Sequence, residues 1–308
     1  MLINTSFKKK VLLIIAGPTA VGKTKLSIEL AQYFNSEILS VDSRQIYEEL
    51  NIGVARPDPK ELRIVPHHFI GNKSIHTPYS AGDFEKESLS VLNTLFEKHN
   101  LIVVVGGTGL YIKALTDGLD TFPAVSDALR EDLNVLHKTK GLEILLDELK
   151  EKDPEYFEVV DRKNPRRVIR ALEIIRTTGS KFSSMRQGLP AKRPFSAIKL
   201  GLTEERATLY DKINRRVDQM ILQGLIEEAK TLLPYRKLSA LQTVGYSEIF
   251  SYLEGEISKD EAIELIKKNT RNYAKRQLTW FKKDKGFEWF TPNQLTPIIH
   301  YVKAQLKL

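Results

Sequence analysis

Cysteine is absent from this sequence of 308 residues, and no hydrophobic run is long enough to span a lipid bilayer. The lack of cysteine excludes disulfide bonds and zinc sites with thiolate ligands, and it is typical of cytoplasmic proteins. The apolar runs fall far short of the roughly 20 residues that a transmembrane helix needs. Polar low-complexity segments, which would indicate disorder, are missing as well. We therefore expect a globular cytoplasmic protein without a membrane-spanning segment.

The chain is long enough for one large core with an insertion, or for two domains. Its 47 Lys and Arg residues exceed its 39 Asp and Glu residues, which gives a formal net charge of +8. Such an excess favours a polyanionic partner such as a nucleic acid, although many soluble proteins are mildly basic. The positions of the basic residues therefore matter more than their number.

A phosphate-binding loop follows the first apolar run. Gly17, Gly22, Lys23 and Thr24 match the spacing G-x-x-x-x-G-K-[ST]. In such loops backbone N–H groups surround a polyphosphate, the lysine adds a positive charge and the hydroxyl of the last residue, here Thr24, can bind Mg²⁺. The predicted phosphate-binding residues are Gly17, Pro18, Thr19, Ala20, Val21, Gly22, Lys23 and Thr24. The spacing alone does not identify the phosphate, since many ATP-binding proteins share it.

Strand and helix patterns alternate along the chain. Four apolar, β-branched runs lie at 11–18, 36–43, 101–109 and 196–203. Helical patterns between them predict a doubly wound α/β fold with a buried parallel sheet. Residues 122–194 carry several helical patterns and no strand pattern, and the chain beyond 203 is again helical. We therefore predict an α/β core formed by 1–121 and 195–308, with an all-helical insertion domain at 122–194.

Polar residues at the carboxyl ends of the predicted strands are candidates for the site, because ligands of open parallel sheets gather there. Asp42 is the only acidic residue at such a position, since the strand that ends near 106 continues as "GGTG". Its spacing leaves two roles open, an indirect Mg²⁺ ligand or a general base. Ser43, Arg44 and Gln45 slightly favour substrate binding, because Gln and Arg bind base edges and phosphates well.

Eight sequence blocks occur in the order typical of one family. They are "GPTAVGKT", "SVDSRQIY" with "GVARP", "VPHH" with "YSAGDF", "VVGGTGLYIKAL", "NPRRVIRALE", "RVDQMILQGLIEE", "LQTVGYSEI" and "TRNYAKRQLTWF". Over nearly its whole length the chain resembles the tRNA dimethylallyltransferases of bacterial type. These enzymes transfer an isopentenyl-type group to N6 of the adenosine next to the anticodon, at tRNA position 37. The resemblance also implies a P-loop NTPase-like core and a monomer.

The resemblance implies that the loop holds the diphosphate of dimethylallyl diphosphate rather than the triphosphate of ATP. Lys23 and a Mg²⁺ ion would stabilise the charge that develops on the leaving diphosphate. Asp42 would be the general base on the adenine N6 amine, and Thr108 would contact this amine or the diphosphate. Either Arg215 or Arg216 would face the diphosphate. The glycines of "GGTG" would let the backbone approach the substrate closely.

Basic residues in the insertion and in the last strong helix are candidates for contact with the anticodon stem-loop. Arg166 and Arg170 share a helix face, so their guanidinium groups could clamp successive phosphates, with a solvated basic face as the alternative. A stripe of Lys267, Arg271 and Lys275 is assigned to the RNA backbone. The full set predicted to contact tRNA is Asp42, Ser43, Arg44, Gln45, Thr108, Arg130, Arg166, Arg167, Arg170, Lys267, Arg271 and Lys275.

Two other functions fit the phosphate loop. The first is a kinase of a small metabolite, in which Asp42 deprotonates a hydroxyl group. The second is an RNA-binding module that uses the loop as a nucleotide switch. A kinase would not need the basic helices, and a switch would have an acidic Mg²⁺ residue at a strand end near the loop. Both arguments favour the transferase as the leading hypothesis.

Overall fold

The computed structural model describes residues 9–186, 188 and 190–308. The chain divides into two compact units. Residues up to Thr116 form the first unit together with Lys192–Leu308, and Asp117–Ala191 form the second. The second unit occupies the part of the chain where the sequence predicts an insertion at 122–194. Of the described helices, none is long and apolar enough to cross a membrane.

A parallel sheet of six strands forms the centre of the first unit. The strands are β1 Val11–Ala16, β2 Ile38–Ser40, β3 His67–His68, β4 Leu101–Gly106, β5 Ser196–Leu202 and β6 Phe287–Phe290. Their order in the sheet is β3-β2-β4-β1-β5-β6. Val11 of β1 lies beside Leu101 of β4 and Ser196 of β5, and all of β1 is buried. A strand covered on both faces needs apolar side chains throughout, which explains the uninterrupted run "VLLIIA".

Helices of the first unit cover both faces of this sheet. From the N-terminus the helices are α1 Lys23–Tyr33, α2 Pro59–Ile64, α3 Ala81–Lys98, α4 Gly109–Asp117, α5 Asp127–Lys140, α6 Glu143–Lys152, α7 Pro154–Val159, α8 Pro165–Thr178, α9 Phe182–Met185, α10 Arg206–Leu222, α11 Leu225–Leu232, α12 Tyr246–Leu253, α13 Lys259–Phe281 and α14 Leu295–Leu306. Leu12 and Ile14 of β1 enter the core on one face, whereas Leu13 and Ile15 enter the core on the other. The predicted doubly wound α/β fold is therefore confirmed.

The second unit contains α5 to α9 and has a core of its own, in which Leu145 and Leu172 are fully buried. The side chain of Asn164 caps α8 by accepting a hydrogen bond from the backbone N–H of Arg167 at 3.3 Å. The helix ends at Gly179, whose φ of 70° is typical of a glycine C-cap. The part of this unit that the structure describes contains no strand, as the sequence predicts.

Several short elements are not predicted from the sequence, among them β3, β6 and α2. β6 lies in the C-terminal region that the sequence predicts to be helical, and it pairs in parallel with β5. Its four residues, "FEWF", are too few for a periodic pattern. α2 is a helix of six residues, and Asp58 and Glu61 form a capping box at its start. The prediction of a helical C-terminal region therefore holds except at β6.

A carboxylate between two histidines joins the amino ends of three strands. Glu37, just before β2, contacts His68 of β3 at 2.7 Å and His99, just before β4, at 3.4 Å. Burial alone would raise the pKa of Glu37, but the hydrogen bonds from the two histidines outweigh it and hold the pKa below its ordinary value. This cluster therefore lies at the end of the sheet opposite the carboxyl ends of the strands.

Candidate functional site

The phosphate loop joins the end of β1 to the start of α1. Gly17 and Gly22 have φ values of 153° and 102°. Residues other than glycine are strained at such positive φ values. A Cβ atom on Gly17 would also lie 2.7 Å from the carbonyl oxygen of Leu202 at the end of β5. Because α1 begins directly after Gly22, its unpaired N-terminal N–H groups border the loop. The loop therefore has the geometry of an anion site at a helix N-terminus.

Lys23 folds back over the loop. Its ammonium group donates hydrogen bonds to the carbonyl oxygens of Gly17 at 3.0 Å and Pro18 at 2.7 Å. Burial lowers the pKa of Lys23 to about 7; the charge of Asp42 opposes this shift, and the charge of Arg216 adds to it. A phosphate beside Lys23 would raise this pKa again, because an anion favours the charged form of an amine. The electrostatic environment of Lys23 therefore favours the binding of an anion at the loop.

Arg216 is the arginine of α10 that lies near Lys23. It is half-buried, and burial lowers the pKa of its guanidinium while the charge of Glu61 opposes the shift. Within the described part of the chain, no carboxylate forms an ion pair with it. The side chain of Arg215, in contrast, is 76% exposed and pairs with Asp211 at 2.6 Å. Of the two candidates that the sequence leaves open, Arg216 is the one with a free charge close to the loop.

Hydrogen bonds join the carboxyl ends of β2 and β4. Oδ1 of Asp42 accepts bonds from the backbone N–H groups of Arg44 at 2.9 Å and Gln45 at 3.2 Å. The hydroxyl oxygen of Thr108, after β4, accepts a bond from the backbone N–H of Ser43 at 3.0 Å. No described residue forms a hydrogen bond with Oδ2 of Asp42. This second carboxylate oxygen is therefore available to accept a proton from a substrate.

The side chains of Arg44 and Gln45 contact the protein itself. The guanidinium of Arg44 donates to the carbonyl oxygens of Ser239 at 2.9 Å and Ala240 at 3.1 Å. Nε2 of Gln45 donates to two backbone carbonyls of the segment that precedes α2, one of them the carbonyl of Ala55 at 2.9 Å. Both side chains are thus fixed in place. Because both amide hydrogens of Gln45 already form hydrogen bonds, only its side-chain oxygen is available to a base edge, as an acceptor.

Gln277 of α13 also lies at the site, a position that its sequence neighbourhood does not predict. Its side-chain amide lies between the phosphate loop and the "GGTG" segment, bonded to the backbone of Thr19 and Gly107. Tyr273, one turn earlier, is close enough to the site that burial and the charge of Asp42 raise its pKa. The sequence offers no local signal for this role, since a glutamine in a basic helix is normally exposed.

The glycines of "GGTG" are needed for contacts within the protein. A Cβ atom on Gly106 would lie 2.4 Å from the carbonyl oxygen of Val41, and one on Gly107 would lie 2.2 Å from Nε2 of Gln277. Both distances are impossible for real side chains. The close approach of Val41, just after β2, and of α13 thus already accounts for small residues here, and close approach of the backbone to a substrate stays a prediction.

A buried carboxylate organises two of the arginines predicted on the insertion. Glu173 of α8, whose side chain is 5% exposed, accepts bonds from Arg130 of α5 at 3.1 Å and Arg170 at 2.8 Å. Both guanidinium groups remain about half exposed. The structure thus brings Arg170 and Arg130 together through Glu173, and a joint phosphate clamp by Arg166 and Arg170 stays a prediction. Arg166 and Arg167 are exposed at the start of α8.

The predicted basic stripe of α13 is divided in the structure. Lys267 forms an ion pair with Asp218 of α10 at 2.8 Å, and Arg271 donates to the side chain of Asn214 at 2.6 Å. Lys275 is exposed. Two of the three cations therefore help α13 to pack on α10, and Lys275 alone of these three keeps its charge fully accessible.

Comparison with known proteins assigns the family. Residues 45–284 match the family model described as IPP transferase. The chain is 49% identical to tRNA dimethylallyltransferase 1 of Bacteroides fragilis, over 97% of this chain and 99% of that protein. It is 48% identical to the tRNA dimethylallyltransferase of Cytophaga hutchinsonii, over 98% of this chain and 99% of the relative.

Solved structures agree with these sequence relatives. The full-length tRNA isopentenylpyrophosphate transferase of Bacillus halodurans is 38% identical with a TM-score of 0.73, over 97% of both chains. A eukaryotic dimethylallyltransferase, captured in crystallographic snapshots acting on tRNA, is 27% identical with a TM-score of 0.77, over 93% of this chain and 75% of that one. Because the family model covers most of its length and relatives match it almost end to end, this chain belongs to the IPP transferase family.

Proposed function

We propose that this protein transfers a dimethylallyl group from dimethylallyl diphosphate to N6 of adenosine 37 of tRNA and releases diphosphate. The activities named for its relatives support this proposal. The observation that carries it is the pair of half-buried cations, Lys23 and Arg216, at a phosphate loop near the carboxylate of Asp42. A reaction with a diphosphate leaving group and a nucleophile that loses a proton needs these two elements side by side.

In the proposed reaction, N6 of adenine attacks C1 of the dimethylallyl group while the bond between C1 and the diphosphate oxygen breaks. The electron pair of that bond leaves with the diphosphate, where the loop N–H groups, Lys23 and Arg216 stabilise the growing charge. The attacking nitrogen becomes positive and passes one proton to Asp42. Thr108 holds the segment that carries Asp42, and its hydroxyl is our candidate for a contact with the amine or the diphosphate.

Magnesium fits this site as an ion held mainly by the diphosphate. Among the described residues, no group of three His, Cys, Asp or Glu side chains could hold a metal ion. Mg²⁺ often keeps several waters and binds through substrate phosphates with only one or two protein ligands. Thr24, in the first turn of α1, would supply the protein hydroxyl. When bound, the ion would neutralise charge on the diphosphate.

Basic residues of both units are our candidates for tRNA contacts. Flipping the target adenine out of its stack costs about a few kcal/mol, so contacts elsewhere on the RNA must offset that cost. In the second unit the candidates are the exposed arginines of α8 and the pair held by Glu173. In the first unit Lys275 is the exposed candidate, whereas Lys267 and Arg271 already contact α10.

The test is the mass of an unmodified tRNA that carries adenosine 3′ of the anticodon, after incubation with the protein, Mg²⁺ and either dimethylallyl diphosphate or ATP. We expect that adenosine to gain one dimethylallyl group in the presence of the diphosphate, with ATP inert. No gain, together with ATP consumption when small metabolites are added, would replace the transferase by the kinase. The comparisons give the kinase no support.

A further inference from the structure

Gln277 connects the phosphate loop to the segment after β4 through one buried side-chain amide. Gln277 is 6% exposed. Its Oε1 accepts a hydrogen bond from the backbone N–H of Thr19 at 2.8 Å, and its Nε2 donates to the carbonyl oxygen of Gly107 at 3.0 Å. Because the amide is rigid and planar, these two bonds fix the distance between Thr19 and Gly107.

The residues on either side of this bridge carry the proposed chemistry. On one side, the loop carbonyls of Gly17 and Pro18 hold the ammonium of Lys23. On the other side, Gly107 precedes Thr108, whose hydroxyl accepts the N–H of Ser43 next to Asp42. Hydrogen bonds, linked by single peptide bonds such as that between Gly107 and Thr108, therefore connect the phosphate loop to the segment of the proposed general base.

The fit around the amide leaves no room for a change at Gly107. A Cβ atom there would lie 2.2 Å from Nε2 of Gln277. The backbone of Gly107 does not have a positive φ, so the torsion angles alone would allow alanine at this position. Glycine at position 107 therefore leaves the space in which the Gln277 amide forms its two hydrogen bonds, and a larger residue would displace that amide.

We propose that Gln277 is a positioning residue that sets the separation between the bound diphosphate and the base Asp42. The proposal rests on the proposed function, because it concerns the alignment of leaving group and nucleophile in that reaction. Transfer between two bound reactants is sensitive to alignment, and a displacement of about 1 Å can slow a reaction roughly 100-fold. Gln277 itself touches neither reactant in this scheme and acts through Thr19 and Gly107.

The first experiment compares Gln277→Met with wild type. Methionine has a similar volume but cannot form the two bonds, so the loops lose their fixed spacing. We expect the single-turnover rate at saturating tRNA and donor to fall about 10- to 100-fold, while the dissociation constant for tRNA changes less than about threefold. Ile266→Val, at another buried position of α13, is the control for a general weakening of the helix and should keep the wild-type rate.

Amide hydrogen exchange at Thr19 gives a readout that does not depend on activity. In wild type the Thr19 N–H is bonded to Gln277, and in Gln277→Met it should exchange at least about tenfold faster. Ile266→Val should leave this exchange unchanged. If wild type does not modify tRNA, the proposed function fails, and the exchange result still decides whether Gln277 holds the loop.

Gly107→Ala provides a second test in case Gln277→Met folds poorly. The added methyl group should displace the amide and reproduce the loss of rate. In a Gln277→Ala background the space is free, so adding Gly107→Ala should cause no further loss. A wild-type rate in Gln277→Met, an equal loss in Ile266→Val, or additive losses in the double variant would each overturn the proposal.

Discussion

Replacing Arg216 by glutamine should weaken the binding of dimethylallyl diphosphate much more than replacing its neighbour Arg215 by glutamine. Arg216 is half-buried near Lys23 and has no ion-pair partner among the described residues, so the N–H groups of its guanidinium are free to bind an anion. A hydrogen bond to a charged group contributes about 1.5–3 kcal/mol, which corresponds to a rise of about 10- to 150-fold in KM for the donor. Arg215 forms an exposed surface pair, and such pairs contribute about 0–1 kcal/mol. Because the charge of Arg215 is exposed and already paired with Asp211, Arg215→Gln should change the same KM less than about fivefold.

The assay measures KM for dimethylallyl diphosphate at saturating tRNA, and inhibition by inorganic diphosphate as a check on the anion alone. The tRNA dissociation constant is measured for both variants and should stay near the wild-type value. Arg216→Gln should not lower the melting temperature, because Arg216 repels the buried ammonium of Lys23. Equal increases in KM for the two variants, or a loss of tRNA binding with an unchanged donor KM, would refute the assignment of Arg216.

Asp42→Asn keeps an oxygen that can accept the two backbone hydrogen bonds, but it removes the negative charge. We therefore expect kcat to fall about 10²- to 10⁴-fold while the affinity for tRNA stays unchanged. Loss of tRNA binding with intact single-turnover chemistry would contradict the role of Asp42 as base. Glu173→Gln should lower the free energy of unfolding by about 1–3 kcal/mol in denaturant titrations, because two arginines lose a buried carboxylate. Asp127→Asn, at a side chain that is 99% exposed, should cause no measurable change, and equal effects would disprove the argument. The histidines lower the pKa of Glu37 in the folded protein. The contribution of Glu37 to the free energy of unfolding is therefore present above its pKa in the unfolded chain, and it is lost as the pH falls through its pKa in the folded protein. Glu37→Gln should therefore destabilise the protein at pH 7, and its difference from wild type should shrink as the pH falls below the folded pKa of Glu37. A difference that grows in acid would exclude this mechanism.

The parts of the fold that the sequence predicts correctly depend on short-range patterns. β1 and β4 are buried on both faces, so their apolar runs are uninterrupted and easy to recognise. The phosphate loop is equally local, since its glycines and Lys23 lie within seven consecutive residues. β6 has only four residues and is ordered by pairing with β5, so no local pattern predicts it.

The site is predicted less completely, because several of its contacts join residues far apart in the chain. Gln277 lies 258 positions from Thr19, and nothing in the sequence near either residue indicates the bond. Helical spacing places Arg166 and Arg170 on one face, but only tertiary structure reveals that Glu173 also joins Arg170 to Arg130. The choice between Arg215 and Arg216 likewise depends on burial, which consecutive residues of a helix do not share.

The position of Gln277 near the end of the chain has a consequence for synthesis on the ribosome. β1, β2 and β4 and the phosphate loop are complete once residue 106 has emerged, whereas β5 begins at 196 and the glutamine follows at 277. At about 5–20 residues per second, these first strands wait roughly 9–34 s until Gln277 has been added to the chain. A nascent chain, or one that ends before residue 277, thus carries the entire phosphate loop without the hydrogen bonds that Gln277 makes to Thr19 and Gly107.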